Sequence, residues 1–381
     1  MSDRDIASKT AIVGIATSDF GALYRGLDAE RTREELAVQV LKEALDDAGL
    51  KKSDIDGLVV GGAPEYHSFM YRAGLQDVRY LAHYPIAGRM CPIALGTAAM
   101  AVHHGLANYV ALYNSVVMRS SQTKFGAPSS GGDLYDTLYG MASPGAFYAL
   151  AFTKYQSMFG GTEEDLGAIA VAIRKHASMN PRATMRDPIT VQDYIQARYI
   201  ARPLRLFDYC LVSDGAVCYI VTTVERARAL KQKPVLIGSF GMRTSIREQY
   251  VSEDFWYGAC QSLRKDVFDP LGLQPGDIDG VQVYDNFSLS VLWGLEGFGF
   301  CKRGEGLHYA QGGRIQVGGE LPVNTSGGML SEAYLHGWNN HAESVRQLRG
   351  QAGPRQIEDC RAILYWGLSV VPSADILLRA E

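Results

Sequence analysis

The stretch Val323–Gly337, V-N-T-S-G-G-M-L-S-E-A-Y-L-H-G, sets a Gly-Gly turn shortly before a phenol, Tyr334, and an imidazole, His336. A turn that exposes backbone N–H groups beside ionisable side chains can hold an anion. Asn324, Gly327 and Gly328 are the anion-holding candidates, and Tyr334 or His336 the acid–base ones. The alternative is a surface turn that needs glycine only for its dihedral angles. A second group, Tyr284-Asp285-Asn286-Phe287, follows the apolar run that ends at Val283. Open α/β sheets gather ligands at the carboxyl ends of their strands, which adds Tyr284 and Asp285 to the candidates.

Thiol and metal chemistry have less to work with. Six cysteines, at 91, 210, 218, 260, 301 and 360, form no C-x-x-C pair, which fits a reduced cytosol and offers no zinc-finger spacing. The pairs His103-His104 and His336 with His341 lack the i, i+4 spacing of helical metal ligands. Neither a metal nor a cofactor is expected. A net charge of −4, with no basic tract, argues against a nucleic-acid partner. No run reaches the length of a membrane span, and the opening M-S-D-R-D-I-A-S-K is too charged for a secretion signal. The expectation is a cytoplasmic, globular protein.

At 381 residues the chain is long for one ordinary domain, and 47% hydrophobic residues can fill a large core. Lys9–Ile15 reads as a buried strand. A capping box at Thr32 and Glu35 opens a helix whose face of Leu36, Val40, Leu41, Ala44 and Leu45 ends at Gly49. Asp56–Gly61 is a second strand; a helix of small residues around Gly96–Met100 precedes a third strand from about Tyr109. The pattern points to a layered α/β sheet. Pro203–Val221 returns to core, with Asp214-Gly215 read as a tight turn before a strand at Ala216–Thr222. Between them, Arg119–Gly145 is rich in Ser and Gly, and a helix starts at Thr162 and stops at Asn180-Pro181.

The chain also repeats. Gly49–Val60, G-L-K-K-S-D-I-D-G-L-V-V, returns as G-L-Q-P-G-D-I-D-G-V-Q-V at Gly272–Val283, with seven of twelve positions identical. Both copies lead from a helix into a strand, so the expectation is a duplicated α/β half with an insertion in the first copy. The halves are drawn at 1–120 plus 201–230 and at 231–381, with an inserted loop domain at 121–200.

A duplicated half carrying G-L-x-x-x-D-I-D-G, the stretch Pro203–Ala216 ending in S-D-G-A, and N-x-x-G-G near the C-terminus together resemble the thiolase superfamily. Lys175–Pro181 and the Y-D-N-F segment look most like its sterol-carrier, or lipid-transfer, branch. The resemblance covers nearly the whole chain and implies the five-layered αβαβα thiolase fold, a homodimer and an acyl-CoA ligand. Laid on the thiolase motifs, Tyr284 falls on the residue that positions the thioester oxygen, Tyr334 on the histidine and Tyr365 on the basic cysteine. Cys91 is the one thiol near the nucleophile motif, although the register falls on Ile93 or near Gly88 and Arg89.

Phenols cannot trap an acyl group as a thiolate does, but a phenol can donate to an oxyanion and carry one proton. C–C cleavage beside the thioester then releases a ketone directly, which is a retro-aldol reaction of a β-hydroxyacyl-CoA. Ser331–Gly337 and the tyrosine pair resemble steroid side-chain-cleaving aldolases, which implies a 17-hydroxy steroid CoA thioester as substrate and propionyl-CoA as product. The resemblance also implies a small companion protein with an OB-fold and a zinc ribbon, giving a heterotetramer. Arg174, Lys175 and Arg182 are the candidates for CoA phosphates. Two alternatives stand: a true thiolase using Cys91, and a non-catalytic sterol or acyl-CoA-binding subunit.

Overall fold

The computed structural model describes residues 6–28, 31–62, 64–84, 91–123, 138–141, 143–244, 254–368 and 371–381. Eleven strands are found among them. They are β1 Thr10–Thr17, β2 Gly57–Val60, β3 Tyr80–His83, β4 Val110–Val117, β5 Tyr199–Ala201, β6 Leu204–Arg205, β7 Asp214–Thr223, β8 Val235–Met242, β9 Gly280–Val283, β10 Ala362–Gly367 and β11 Ser373–Arg379. Nine of these form one sheet in the order β3-β2-β4-β7-β1-β8-β11-β10-β9, and β5-β6 make a separate ribbon. The seam is an antiparallel pairing of β1 and β8, with Thr10 opposite Ile237.

The order explains the repeat. Outward from the seam, the first half runs β1-β7-β4-β2 and the second β8-β11-β10-β9, with β3 an addition at the first edge. Each copy of D-I-D-G uses its two aspartates alike. Asp54 and Asp277 accept the N–H of Lys51 and Gln274 across a short turn, both at 2.7 Å. Asp56 then takes the N–H groups of Asn108 and Tyr109 (2.7 and 2.9 Å), and Asp279 those of Arg361 and Ala362 (2.7 and 2.9 Å). The second aspartate thus ties the start of the neighbouring parallel strand to its own. A motif read as sequence similarity is the part that sets strand register.

Helix Arg33–Ala48 covers the first half-sheet; its Thr32 capping box and left-handed Gly49 cap sit where the sequence puts them. Helix Tyr257–Phe268 covers the second. Helices Cys91–His103 and Trp338–Leu348 lie between the halves and touch strands of both. Three apolar cores follow, one under each outer cover and one around the central pair. These are the five layers of the expected α/β architecture. The segment after Gly337, polar in sequence, is the central helix and is buried. Its polar side chains are tolerated because Asn339, Asn340, His341, Glu343 and Gln347 all have hydrogen-bond partners.

Asp214-Gly215 is a correction. Instead of a turn, the pair opens β7, facing Val117 and Val116 of β4, while Asp214 also accepts the N–H of Arg119 at 2.9 Å. The segment from the end of β4 to the start of β7 holds the β5-β6 ribbon and the turn Leu206–Asp208. It carries helices Pro144–Phe159 and Glu163–Ser178, the latter capped by Thr162 as its sequence indicates. No described helix is long and apolar enough to cross a membrane.

Candidate active site

Strand β9 ends at Val283, and the next residue, Tyr284, enters the central core with only 1% of its surface exposed. Asn324 fixes this end: its Oδ1 accepts the Val283 N–H at 2.6 Å and its Nδ2 donates to the Val283 carbonyl at 3.2 Å. Asn324 takes a left-handed φ of 49°, which turns the chain back across the strand end. After it, Gly328–Glu332 makes one wide turn in which the N–H groups of Glu332 and Ala333 reach back five residues, to Gly327 and Gly328. This brings Tyr334 beside Tyr284, with the two hydroxyl oxygens 3.0 Å apart. The Tyr334 N–H donates to Ser213 Oγ at 2.9 Å, and its ring meets the edge of His336 with centroids 4.8 Å apart.

Asp285 lies under the turn. Its two oxygens accept the N–H of Met329 at 2.8 Å and of Leu330 at 3.2 Å. Burial raises its pKa to about 7 against the opposing effect of those donors. Asp285 is therefore a clamp on the turn. Gly328 closes over it so tightly that a Cβ there would lie 2.3 Å from Asp285 Oδ2.

Several candidates serve the architecture. Gly327 gives its N–H to Asn324 O at 2.9 Å, so it is spent within the turn, and the Asn324 amide is spent on Val283. Arg174 is buried, with Nε on Ser331 Oγ at 2.8 Å and its guanidinium 5.4 Å from the Phe207 ring centre. It anchors the turn from behind and does not face solvent as a phosphate receptor would. Lys175 reaches Gln316 at 2.6 Å, and Arg182 the Thr17 carbonyl at 2.9 Å, so the three cations hold three different partners. Tyr365 is fully buried, its ring tilted against that of His341 with centroids 4.1 Å apart, and its hydroxyl has no hydrogen-bond partner among the described residues.

Cys91 opens helix Cys91–His103 but is 1% exposed, close to the Tyr219 phenol. Burial, with Asp375 close by, raises its pKa well above the ordinary thiol value. A thiol held in this form is a poor nucleophile. The alternative nucleophile positions near Gly88 and Arg89 lie outside the described residues, as does most of the Ser-Gly stretch. No group of three His, Cys, Asp or Glu side chains suited to a metal occurs among the described residues. Two open cavities, of about 490 and 430 Å³, sit beside helix Cys91–His103 and beside Arg25, Arg31 and Arg119; neither is lined by Tyr284 or Tyr334.

The sequence does not reveal His176. It is buried, takes the Val317 N–H on Nε2 at 3.0 Å and lies 3.3 Å from the Asn324 carbonyl through Nδ1. This pairing requires the neutral ring with its proton on Nδ1. Burial lowers its pKa to about 4. The unfolded chain binds a proton that the folded one refuses, so this contribution is intact above about pH 6.5 and erodes as pH falls towards 4, by about 3 kcal/mol in all. Denaturant titrations at pH 7.5 and 4.5 are expected to show a smaller loss of stability on acidification in His176→Gln than in the wild type. Equal losses would remove the assignment.

The site is thus a thiolase-type strand-end site with a phenol pair and a buried Cys91. A model of the thiolase C-terminal domain-like family matches residues 244–377. The chain is 35% identical to a 17-hydroxy-3-oxo-4-pregnene-20-carboxyl-CoA lyase of Mycobacterium tuberculosis, across 98% of this chain and all of that one. It is 34% identical to a steroid side-chain-cleaving aldolase of Thermomonospora curvata, across 97% and 98% of the two. Among solved structures, an Ltp2-ChsH2(DUF35) aldolase superimposes with a TM-score of 0.88, at 32% identity over 98% of both chains. The chain belongs to the thiolase superfamily, in the branch of the steroid side-chain-cleaving aldolases.

Proposed function

We propose that this protein is a carbon–carbon lyase that cleaves a β-hydroxyacyl-CoA by a retro-aldol reaction, with a 17-hydroxy steroid side-chain CoA thioester as the substrate class. The products are a ketone and a short acyl-CoA such as propionyl-CoA. The observation that carries this reading is the 3.0 Å contact between the Tyr284 and Tyr334 hydroxyls. A neutral phenol can accept a proton only if it passes its own on. Tyr334 takes the proton of the β-hydroxyl and hands its own to Tyr284, which protonates the thioester oxygen as the Cα–Cβ bond breaks. The bond's electron pair moves into the thioester to give its enol, the β-carbon leaves as a ketone, and both phenols end neutral. The enol hydroxyl then gives up its proton as the α-carbon gains one, which leaves the short acyl-CoA. Gly328 N–H is the remaining backbone candidate to hold the thioester oxygen, and His336, edge-on to Tyr334, is the alternative base. The thioester is the electron sink, so the chemistry calls for no cofactor.

The relatives support the substrate class, and the DUF35 component named in the similar structure supports an OB-fold and zinc-ribbon companion. A homodimer is supported by the outer edge of β3, where Leu81 is exposed, and by exposed Met100 on helix Cys91–His103. A second copy would cover both, and with two companions this gives the heterotetramer. The cytoplasm supplies the CoA thioester.

The test is to incubate the protein, with its companion, with a 17-hydroxy steroid CoA thioester and follow ketone release. Release is expected without free CoA, and iodoacetamide or Cys91→Ala is expected to leave at least half of the activity. A requirement for free CoA, with loss on alkylation, would instead indicate a thiolase using Cys91. Binding without ketone release would indicate a non-catalytic subunit.

A further inference from the structure

Residues 329–332 of the wide turn are all tied from outside it. Met329 and Leu330 give their N–H groups to Asp285, and Ser331 holds Arg174. Glu332 makes the densest tie. Its carboxylate, 1% exposed, accepts Asn180 Nδ2 at 3.0 Å, Ser326 Oγ at 2.7 Å and Asn339 Nδ2 at 2.7 Å. Those donors come from the insertion, from the chain just before the Gly-Gly turn and from the central helix. A five-residue backbone loop is rare because it leaves the helical ladder poorly spaced, so it needs such outside support. A buried carboxylate is also costly, and one kept at that cost is better explained by the geometry it imposes than by stability.

We infer that Glu332 is the positioning residue of the catalytic turn, its three bonds setting the place from which Tyr334, two residues on, meets Tyr284. The inference rests on the proposed lyase reading. The discriminating change is Glu332→Gln. It keeps the shape but replaces one acceptor oxygen with an NH2 group, which then faces another NH2 on Asn180 or Asn339. A positioning role predicts a fall in kcat of about a hundredfold with KM changed less than threefold, because the substrate still binds but the phenols are misaligned. The double variant Glu332→Gln/Asn339→Asp restores a donor–acceptor pair and is expected to regain at least tenfold in kcat.

Wild-type kcat in Glu332→Gln, or no recovery in the double variant, would overturn the inference. Should Glu332→Gln not fold, Asn339→Leu removes one donor and is expected to lower kcat about tenfold; unchanged kcat there overturns it equally. Tyr334→Phe assayed alongside separates the two levels. A slow Tyr334→Phe with a normal Glu332→Gln defeats only the role of Glu332, whereas near-normal turnover in both Tyr334→Phe and Tyr284→Phe defeats the reaction assignment itself.

Discussion

Tyr334→Phe is expected to lower kcat by about two to three orders of magnitude, within the range that one positioned acid–base group contributes. The fold should survive, because the ring stays in the core and the change removes only a hydroxyl, 3.0 Å from that of Tyr284. Tyr284→Phe should cost as much, since in the proposed relay the proton that leaves Tyr334 passes to Tyr284. The double variant is then expected to be little slower than either single one, because residues that act as a unit are not additive. Steady-state ketone release from a β-hydroxyacyl-CoA measures all three. Multiplicative losses would mean two independent roles; near-normal turnover in both single variants would end the proposal.

The second large effect is backbone. Gly328→Ala is expected to destabilise the protein by about 2–4 kcal/mol and to reduce turnover at least a hundredfold. Gly328 has φ +54°, and a Cβ would meet Asp285 Oδ2 at 2.3 Å and Asn324 Nδ2 at 2.6 Å. Both are packed into the clamp under the turn and cannot yield without releasing Met329, Leu330 or Val283. Gly350→Ala is the control. Its φ of +72° is similar, but nothing lies within 4 Å of its Cβ position, so only the backbone strain of about 1 kcal/mol should appear. Chemical denaturation and turnover of the two variants side by side separate contact from strain; equal effects would refute the clamp.

Asp285 shows how close the sequence came and where it stopped. Its place after a strand marks it as a candidate, but a carboxylate there can serve as acid, base or anchor. The choice depends on Met329 and Leu330, more than forty residues away in the chain. Arg174 is similar: its charge suggests a phosphate receptor, yet its helix turns it inward onto Ser331, a contact between residues 157 apart. Cys91 carried the opposite ambiguity, and burial, with Asp375 close by, holds its thiol well above the ordinary value.

The sequence by itself determined the duplicated halves, the capped helices around the sheet and the substitution of tyrosines for thiol and imidazole at the motif positions. Those are local facts: aspartate spacing sets a turn, a capping box starts a helix, and residue identity limits the chemistry. The tertiary structure alone decided that helix Trp338–Leu348 is central and buried, that the Tyr284 and Tyr334 hydroxyls meet, and that Glu332 and His176 serve the loop. Each of these depends on contacts between distant residues, and burial decides which polar groups must be satisfied inside the protein rather than by water.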